Sequence, residues 1–492
     1  MSRAGGATTT ARQRRLIQVG LARAELTPDE LWQRSFALGA TIGPTDLTAY
    51  LDGSLTLPSS ETDRVALAVN ERLDDLHGRH RVPYVRTVRH LDRPGGPLAA
   101  LTQLLRATHL AAPDTLARAV DTGAQELGVR AVAYLVDDSD EHLVPVGAGA
   151  DRSLRSVEGS LAGRAYRLLE TQETTVGGPR LWIPIIDGAE RLGVLEVEVA
   201  DPADLEDPVL RRQGWWFTHY LGHLITVLDA YGDSIDDVRR QRPREVQAEL
   251  VRALLPPLTA GSDKVLISGR LEPAQAVGGD VFDYAIATDA IQFAIADATG
   301  HDLRAGLAAT AALAAYRHAR RQGHGLVQQV HAIDDVITEQ FGGTLYATGV
   351  VASLDLDTGD LRYVNAGHPA PLLVRDGRVV KEIGRGRRSL FGLESRRTTV
   401  AEERLEPGDA LVLYTDGIVE ARDAAGEAFG LERFVGQLER ASDDGIAIPE
   451  VLRRVRRRIL EHQGGVLQDD ATLLVVHWTT KGQLALEPDL WF

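Results

Sequence analysis

The sequence predicts an α+β multidomain protein: a small N-terminal helical segment, an α/β unit, a connector helix, and a C-terminal sandwich of two stacked sheets with helices outside. Three observations predict it. At 492 residues the chain is too long for one ordinary hydrophobic core and suits about three domains. Helix and strand signals alternate from residue 98 to 231, whereas after Lys264 strand signals follow closely, with Ala- and Leu-rich helices grouped between them. Breaker-rich stretches, RPGGP at 93–97 and Pro256-Pro257, separate these blocks.

Residues 1–25 are rich in Ala, Gly, Thr and Arg and read as a disordered arm. Residues 26–92 read as a helical bundle or docking segment. TPDELW supplies a cap, a first-turn proline and early acids, and Leu31, Phe36 and Leu38 add apolar surface. ETDRVALAVNERLDDL continues it with Val65, Leu67, Val69, Leu73 and Leu76. A helix-turn-helix reader would need arginines on the second helix, which is acidic or neutral, so dimerisation or docking is the better reading. His77 and His80 read as exposed helix-end residues.

Between 98 and 231, a helix ending near Leu127 precedes the strand VRAVAYLVDD. GRAYRLLETQ reads as a short helix, and LWIPIIDGAERLGVLEVEVAD as a hairpin turning at Asp187-Gly188. Tyr134 and Trp182 read as core or pocket wall. In GWWFTHYLGHLITVLDAYG, Trp215, Trp216, Phe217 and Tyr220 are expected to close the core or a dimer seam. His219 and His223 have metal-site spacing but no acidic partner on their helix, so packing or surface is preferred to zinc. Residues 232–260 read as a connector; its stripe Val246, Leu250, Leu254 suits self-association and hence a homodimer.

Composition narrows the function. An apolar fraction of 44% and a charged fraction of 25% are ordinary for a soluble globular protein. A net charge of −16 argues against nucleic acid as the main partner. With no cysteine there is no disulfide, thiolate metal site or cysteine nucleophile. No apolar run reaches signal-peptide or membrane-spanning length, so a cytoplasmic protein with no membrane partner is expected.

Chemistry is concentrated in acids at the ends of apolar runs. From Val277 to Asp302, two strands, Val281–Ala287 and Ile291–Ala296, would pair as a hairpin and bring Asp280 and Asp297 to one rim, with Gly278 and Gly279 leaving room for a ligand. Asp416 ends ALVLYTDG, and Asp469 with Asp470 opens DDATLLVVHW. Such a group repels itself by about 4 kcal/mol per close pair at an effective dielectric near 20. Hard divalent cations, Mg or Mn, match an all-oxygen set, and a binuclear site is the expectation. An aspartate before glycine is also an ordinary turn residue, as Asp187 and Asp376 are expected to be, alongside the turn acid Asp357.

Taken in order, GGD at 278–280, DATGH at 297–301, NAGHP at 365–369, LYTDG at 413–417 and DDAT at 469–472 resemble the motif set of SpoIIE/RsbU-type, metal-dependent (protein phosphatase 2C-like) serine/threonine phosphatases, from about Val265 to Trp478. The resemblance implies an α-β-β-α phosphatase domain over 263–480 holding two Mn or Mg ions. Their ligands would be Asp280, Asp297 as the bridging carboxylate, the Ala298 carbonyl, Asp416 and Asp469, with Asp470 the second choice in its doublet. Catalysis would centre on Asp280, Asp297 and His301; His301 or His368 would protonate the leaving oxygen, and Arg304 is a candidate phosphate holder. Asp302 stands where the family has glycine. Residues 98–231 resemble a GAF sensor with no ligand identified, and the connector resembles the family's transmitter. The implied partner is a phosphorylated protein, a STAS-type anti-sigma factor antagonist. Two alternatives stand beside this: a non-catalytic regulator with a degenerate phosphatase domain that binds a partner, and a two-metal hydrolase acting on nucleotides.

Overall fold

The computed structural model describes residues 13–22, 24–77, 98–147, 153–241, 246–272, 278–300, 302–443, 446–465 and 467–479. The RPGGP segment, His80, His301 and residues 1–12 lie outside them. Helices α1 (13–22), α2 (Pro28–Ala37), α3 (Pro44–Asp52) and α4 (Ser59–His77) pack around Ile17, Leu31, Leu47, Tyr50, Val65 and Val69. Helix α2 starts at the expected cap, where Thr27 and Glu30 cap each other reciprocally. The arm reading is corrected for 13–22: beneath the arginines lies an amphipathic turn pattern, Leu16, Ile17 and Leu21, and Ile17 is fully buried.

The next unit comprises α5 (Ala99–Thr108), α6 (Leu116–Leu127), β1 (Arg130–Val136), β2 (His142–Pro145), β3 (Arg155–Ser156), α7 (Leu161–Leu168), β4 (Gln172–Thr174), β5 (Arg180–Asp187), β6 (Glu190–Glu198), α8 (Pro208–Asp229) and α9 (Ser234–Arg239). Its six strands form an antiparallel sheet in the order β3-β2-β1-β6-β5-β4. Alternation along β5 sends Leu181, Ile183 and Ile185 toward α5, α6 and α8, and Trp182 to the opposite face with Tyr134 and Tyr166. Phe217 is fully buried in the first of these cores. His219 and His223 do not converge: the His219 Nδ1 lies 2.8 Å from the Trp215 carbonyl, and His223 faces Asp187 at 3.7 Å.

Connector helix α10 (Val246–Leu254) buries Val251, with Ala248 and Leu254 partly covered, against the C-terminal domain, while Val246 is exposed. The expected stripe is thus displaced, because the helix packs within its own chain. The C-terminal domain contains β7 (Thr259–Gly261), β8 (Val265–Glu272), β9 (Asp280–Ile286), β10 (Ala290–Ala298), α11 (Leu303–Arg321), α12 (Leu326–Phe341), β11 (Ala347–Asp355), β12 (Asp360–Ala366), β13 (Leu372–Arg375), β14 (Arg378–Glu382), β15 (Arg387–Arg388), β16 (Ala401–Arg404), β17 (Ala410–Tyr414), α13 (Asp416–Val419), α14 (Gly430–Asp443), α15 (Ile448–His462) and β18 (Ala471–Trp478). One sheet runs β14-β13-β17-β18-β8-β7; the other runs β15-β12-β11-β10-β9, with β16 also on β12.

A period of two sorts the side chains into three layers. Ile291, Phe293 and Ile295 of β10, Leu411 and Leu413 of β17, and Leu474 and Val476 of β18 fill the space between the sheets. The intervening Ala294, Ala296 and Ala298 face α11 and α12, where Ala308, Ala309 and Ala312 allow close approach. Val412, Tyr414, Leu473 and Val475 face α14 and α15. The result is a mixed α/β sandwich with helices outside both sheets.

Candidate active site

The same alternation builds the site. Asp280 shares the inner face of β9 with Phe282, and Asp297 the inner face of β10 with Ile295. The two aspartates stand directly opposite each other in the β9–β10 ladder. Counting forward from Leu413 puts Thr415 inward, and counting back from Leu474 puts Thr472 and Asp470 inward. Asp280, Asp470, Thr415 and Thr472 are all buried, and Asp297 is half-buried, at one mouth of the sandwich. Asp416, opening α13, and Asp469 lie exposed on the rim.

Two glycines make this approach possible. A Cβ on Gly278 would stand 2.3 Å from Asp470 Oδ2, and one on Gly279 would stand 2.2 Å from the Ala298 carbonyl oxygen. The GGD sequence therefore lets the inner acids and the Ala298 backbone gather.

The gathering is electrostatically costly. Burial, then Asp297 and Asp470, push Asp280 well above the ordinary carboxylate range, against the hydrogen bond it accepts from Thr415 at 2.8 Å. Burial, then Asp416, Asp469 and Asp470, raise Asp297 to about 7, against a hydrogen bond with Asp280. Burial, then Glu420 and Asp469, raise Asp416. The two sets therefore meet: rim acids act on Asp297, and Asp297 acts on the inner ones. Among the described residues no three such side chains already stand in ligand geometry around one point. Mutual repulsion opposes that geometry until a cation screens it. The donor set, carboxylates plus one carbonyl beside glycines, fits hard divalent cations.

His301 lies outside the described residues. Burial pushes the His368 imidazole down to about 3, against a backbone hydrogen bond at Tyr414, which favours the neutral ring and weighs against the proton-donor role considered for it. Its Nδ1 lies 2.7 Å from Thr348 Oγ1, and the Asn365 side chain accepts from the His368 N–H at 2.8 Å while donating to its carbonyl at 3.0 Å. NAGHP is thus a tied turn beside the site. Asp302 is the N-cap of α11, accepting from the Ala305 N–H at 3.0 Å. Exposed Arg304 donates to Thr344 Oγ1 at 3.0 Å. The sequence reading missed Thr415 and placed Asp470 behind Asp469; the signal for both was residue parity along β17 and β18.

Residues 287–479 match the family model described as Stage II sporulation protein E (SpoIIE). Over this stretch the chain is similar to the SpoIIE/RsbU-type phosphatases.

Among curated proteins it is 25% identical over 277 residues to Protein IcfG of Synechocystis sp., covering 50% of this chain and 42% of that one. It is 23% identical over 278 residues to phosphoserine phosphatase RsbU of Bacillus subtilis, covering 52% and 79%. The match thus spans less than half of IcfG's own length. Among solved structures, the RsbU and RsbW domains of a Mycobacterium tuberculosis protein align at 28% identity over 44% of this chain and 61% of that one, with a TM-score of 0.38. The PP2C domain of SiaA from Pseudomonas aeruginosa aligns at 23% identity over 47% and 94%, with a TM-score of 0.40.

Proposed function

We propose that the protein is a Mg- or Mn-dependent protein serine/threonine phosphatase that hydrolyses phosphoserine or phosphothreonine on a partner protein. The observation that carries this is the convergence of like-charged, cation-demanding carboxylates at the sandwich mouth. Asp280, Asp297, Asp416, Asp469 and the Ala298 carbonyl would hold two ions, and buried Asp470 stands beside them as an alternative to Asp469. Bound there, the ions would supply Lewis acidity toward water and phosphate. The chain's own part is to fix the carboxylates on strand ends, to keep His368 neutral, and to present the mouth to a protein-borne phosphate.

The similarity to phosphoserine phosphatase RsbU supports a phosphorylated partner protein, and a STAS-type anti-sigma factor antagonist is the specific candidate. The six-stranded unit of residues 98–231 is read as a GAF-like sensor that gates output through the connector, in a cytoplasmic homodimer. The non-catalytic alternative leaned on Asp302; as a helix cap, that residue leaves the acid set untouched. The test is phosphate release from a panel of phosphorylated antagonist proteins with and without Mn. Mn-dependent release from at least one is expected. Turnover of nucleotides alone, or no release from any substrate, contradicts the proposal.

A further inference from the structure

Thr415 stands where three motifs meet. Its hydroxyl donates to Asp280 Oδ2 at 2.8 Å and accepts from the Thr472 N–H at 2.9 Å. Its own N–H donates to the Thr472 carbonyl at 3.1 Å. One side chain thereby links LYTDG, DDAT and the aspartate of GGD, with no exposure at Thr415 or Thr472 and 2% at Asp280.

The geometry leaves the hydroxyl little choice. A threonine hydroxyl has a single hydrogen. With the Thr472 N–H engaging its oxygen, that hydrogen is turned to the carboxylate. The β17–β18 ladder, in which Tyr414 pairs with Leu473, sets the position of the Thr472 N–H, so the sheet fixes the direction of the donor. A hydrogen bond to one carboxylate oxygen removes the freedom of the Asp280 side chain to rotate away from Asp297. Valine has the same shape and lacks the donor; serine keeps the donor and loses a methyl.

We propose that Thr415 is a positioning residue that holds the Asp280 carboxylate in its cation-binding orientation. The inference rests on the reading of the mouth as a divalent-cation site. Losing a hydrogen-bond partner of a metal-holding carboxylate typically costs about 10–100-fold in affinity or activity.

The test measures Mn uptake by calorimetry on the full chain for wild type, Thr415→Val and Thr415→Ser, with thermal denaturation of each. In Thr415→Val the Mn dissociation constant is expected to rise about 10–100-fold. In Thr415→Ser it should stay within about threefold, in keeping with a retained donor. The Mn concentration for half-maximal phosphatase rate should shift in parallel, with the rate at saturating Mn changed much less. A purely structural tie between β17 and β18 would lower the melting temperature of Thr415→Val and leave Mn affinity alone; that result overturns the proposal. Equal loss in the serine and valine variants also overturns it, since the hydroxyl would then be irrelevant. Should Thr415→Val lose its cooperative melt, Thr415→Ala takes its place under the same criteria. If wild type itself takes up no Mn, the cation-site reading fails, an outcome distinct from wild-type uptake unchanged by the substitution.

Discussion

Two buried groups of charges in this molecule are built on opposite rules. At the seam between the six-stranded unit and α15, Glu450 is fully buried and clasped by Arg453 through two hydrogen bonds of 2.7 and 2.8 Å, with Arg454 at 3.2 Å and Arg191 at 3.5 Å. Asp140, beside it, pairs with Arg270 at 2.9 Å and accepts from Tyr166 Oη at 2.6 Å. Burial alone would raise Asp140, yet Arg270, Arg191, Tyr166 and Arg456 together bring it down to about 2. At the sandwich mouth, the groups acting most strongly to raise Asp280 and Asp297, after burial, are other carboxylates. A buried acid with its counter-charges supplied by the chain holds two units together; a buried acid without them awaits a cation from outside.

The contrast is sharpest when one charge is deleted from each group. Asp297→Asn or Asp416→Asn is expected to lower the phosphatase rate on the order of a hundredfold, about 3 kcal/mol of barrier, in steady-state phosphate release. In the absence of metal, Asp297→Asn should melt no lower than wild type, since it relieves repulsion. Arg453→Ala should do the reverse, destabilising the full chain by about 2 kcal/mol in urea denaturation. That is less than the roughly 3–5 kcal/mol typical when a buried pair is broken, because Glu450 keeps Arg191 and Arg454. A metal-free Asp297→Asn protein as destabilised as Arg453→Ala would break the comparison.

The two groups should also respond to pH with opposite sign. Asp297 titrates at about 7 when folded against an ordinary 3.8, so between those values the folded chain holds a proton that the unfolded chain releases. Its contribution therefore lowers metal-free stability as pH rises from about 4 to 7. Asp140 titrates at about 2 when folded against 3.8. Its stabilisation is present above 3.8 and lost as pH falls toward 2. Melting curves across pH, with and without Mn, check this: Mn should flatten the first dependence and leave the second. The smallest effect is expected at His368: replacing it with Gln should leave the acid limb of the rate–pH profile in place, since a ring already neutral donates no proton there.

Much of the mouth was legible in the chain because strand parity is a local rule. Two strand runs with Asp280 and Asp297 at their outer ends predicted a hairpin with both acids at one rim, and β9 pairs with β10 with those two residues directly opposite. The inward turn of Asp470 follows from the same count, starting at Leu474, but the motif resemblance drew the choice to Asp469. Thr415 was overlooked because threonine beside a strand-end aspartate is ordinary; only the partner strand shows where its hydroxyl points. The seam was not legible at all. The acid that Arg453 and Arg457 share, Glu158, is nearly 300 residues earlier in the chain, where no local pattern connects them. Nor did the arginines near the N-terminus disclose the helix that buries Ile17.

The most direct measurement is a calorimetric titration of the purified chain with Mn near pH 6.5, repeated in two buffers of different ionisation heat. Saturable uptake is expected, accompanied by proton release as the cation displaces protons from the raised carboxylates, with both signals weakened in Asp297→Asn. No uptake by wild type, or uptake that releases no protons and is unchanged in Asp297→Asn, would contradict a cation-holding role for the acidic mouth.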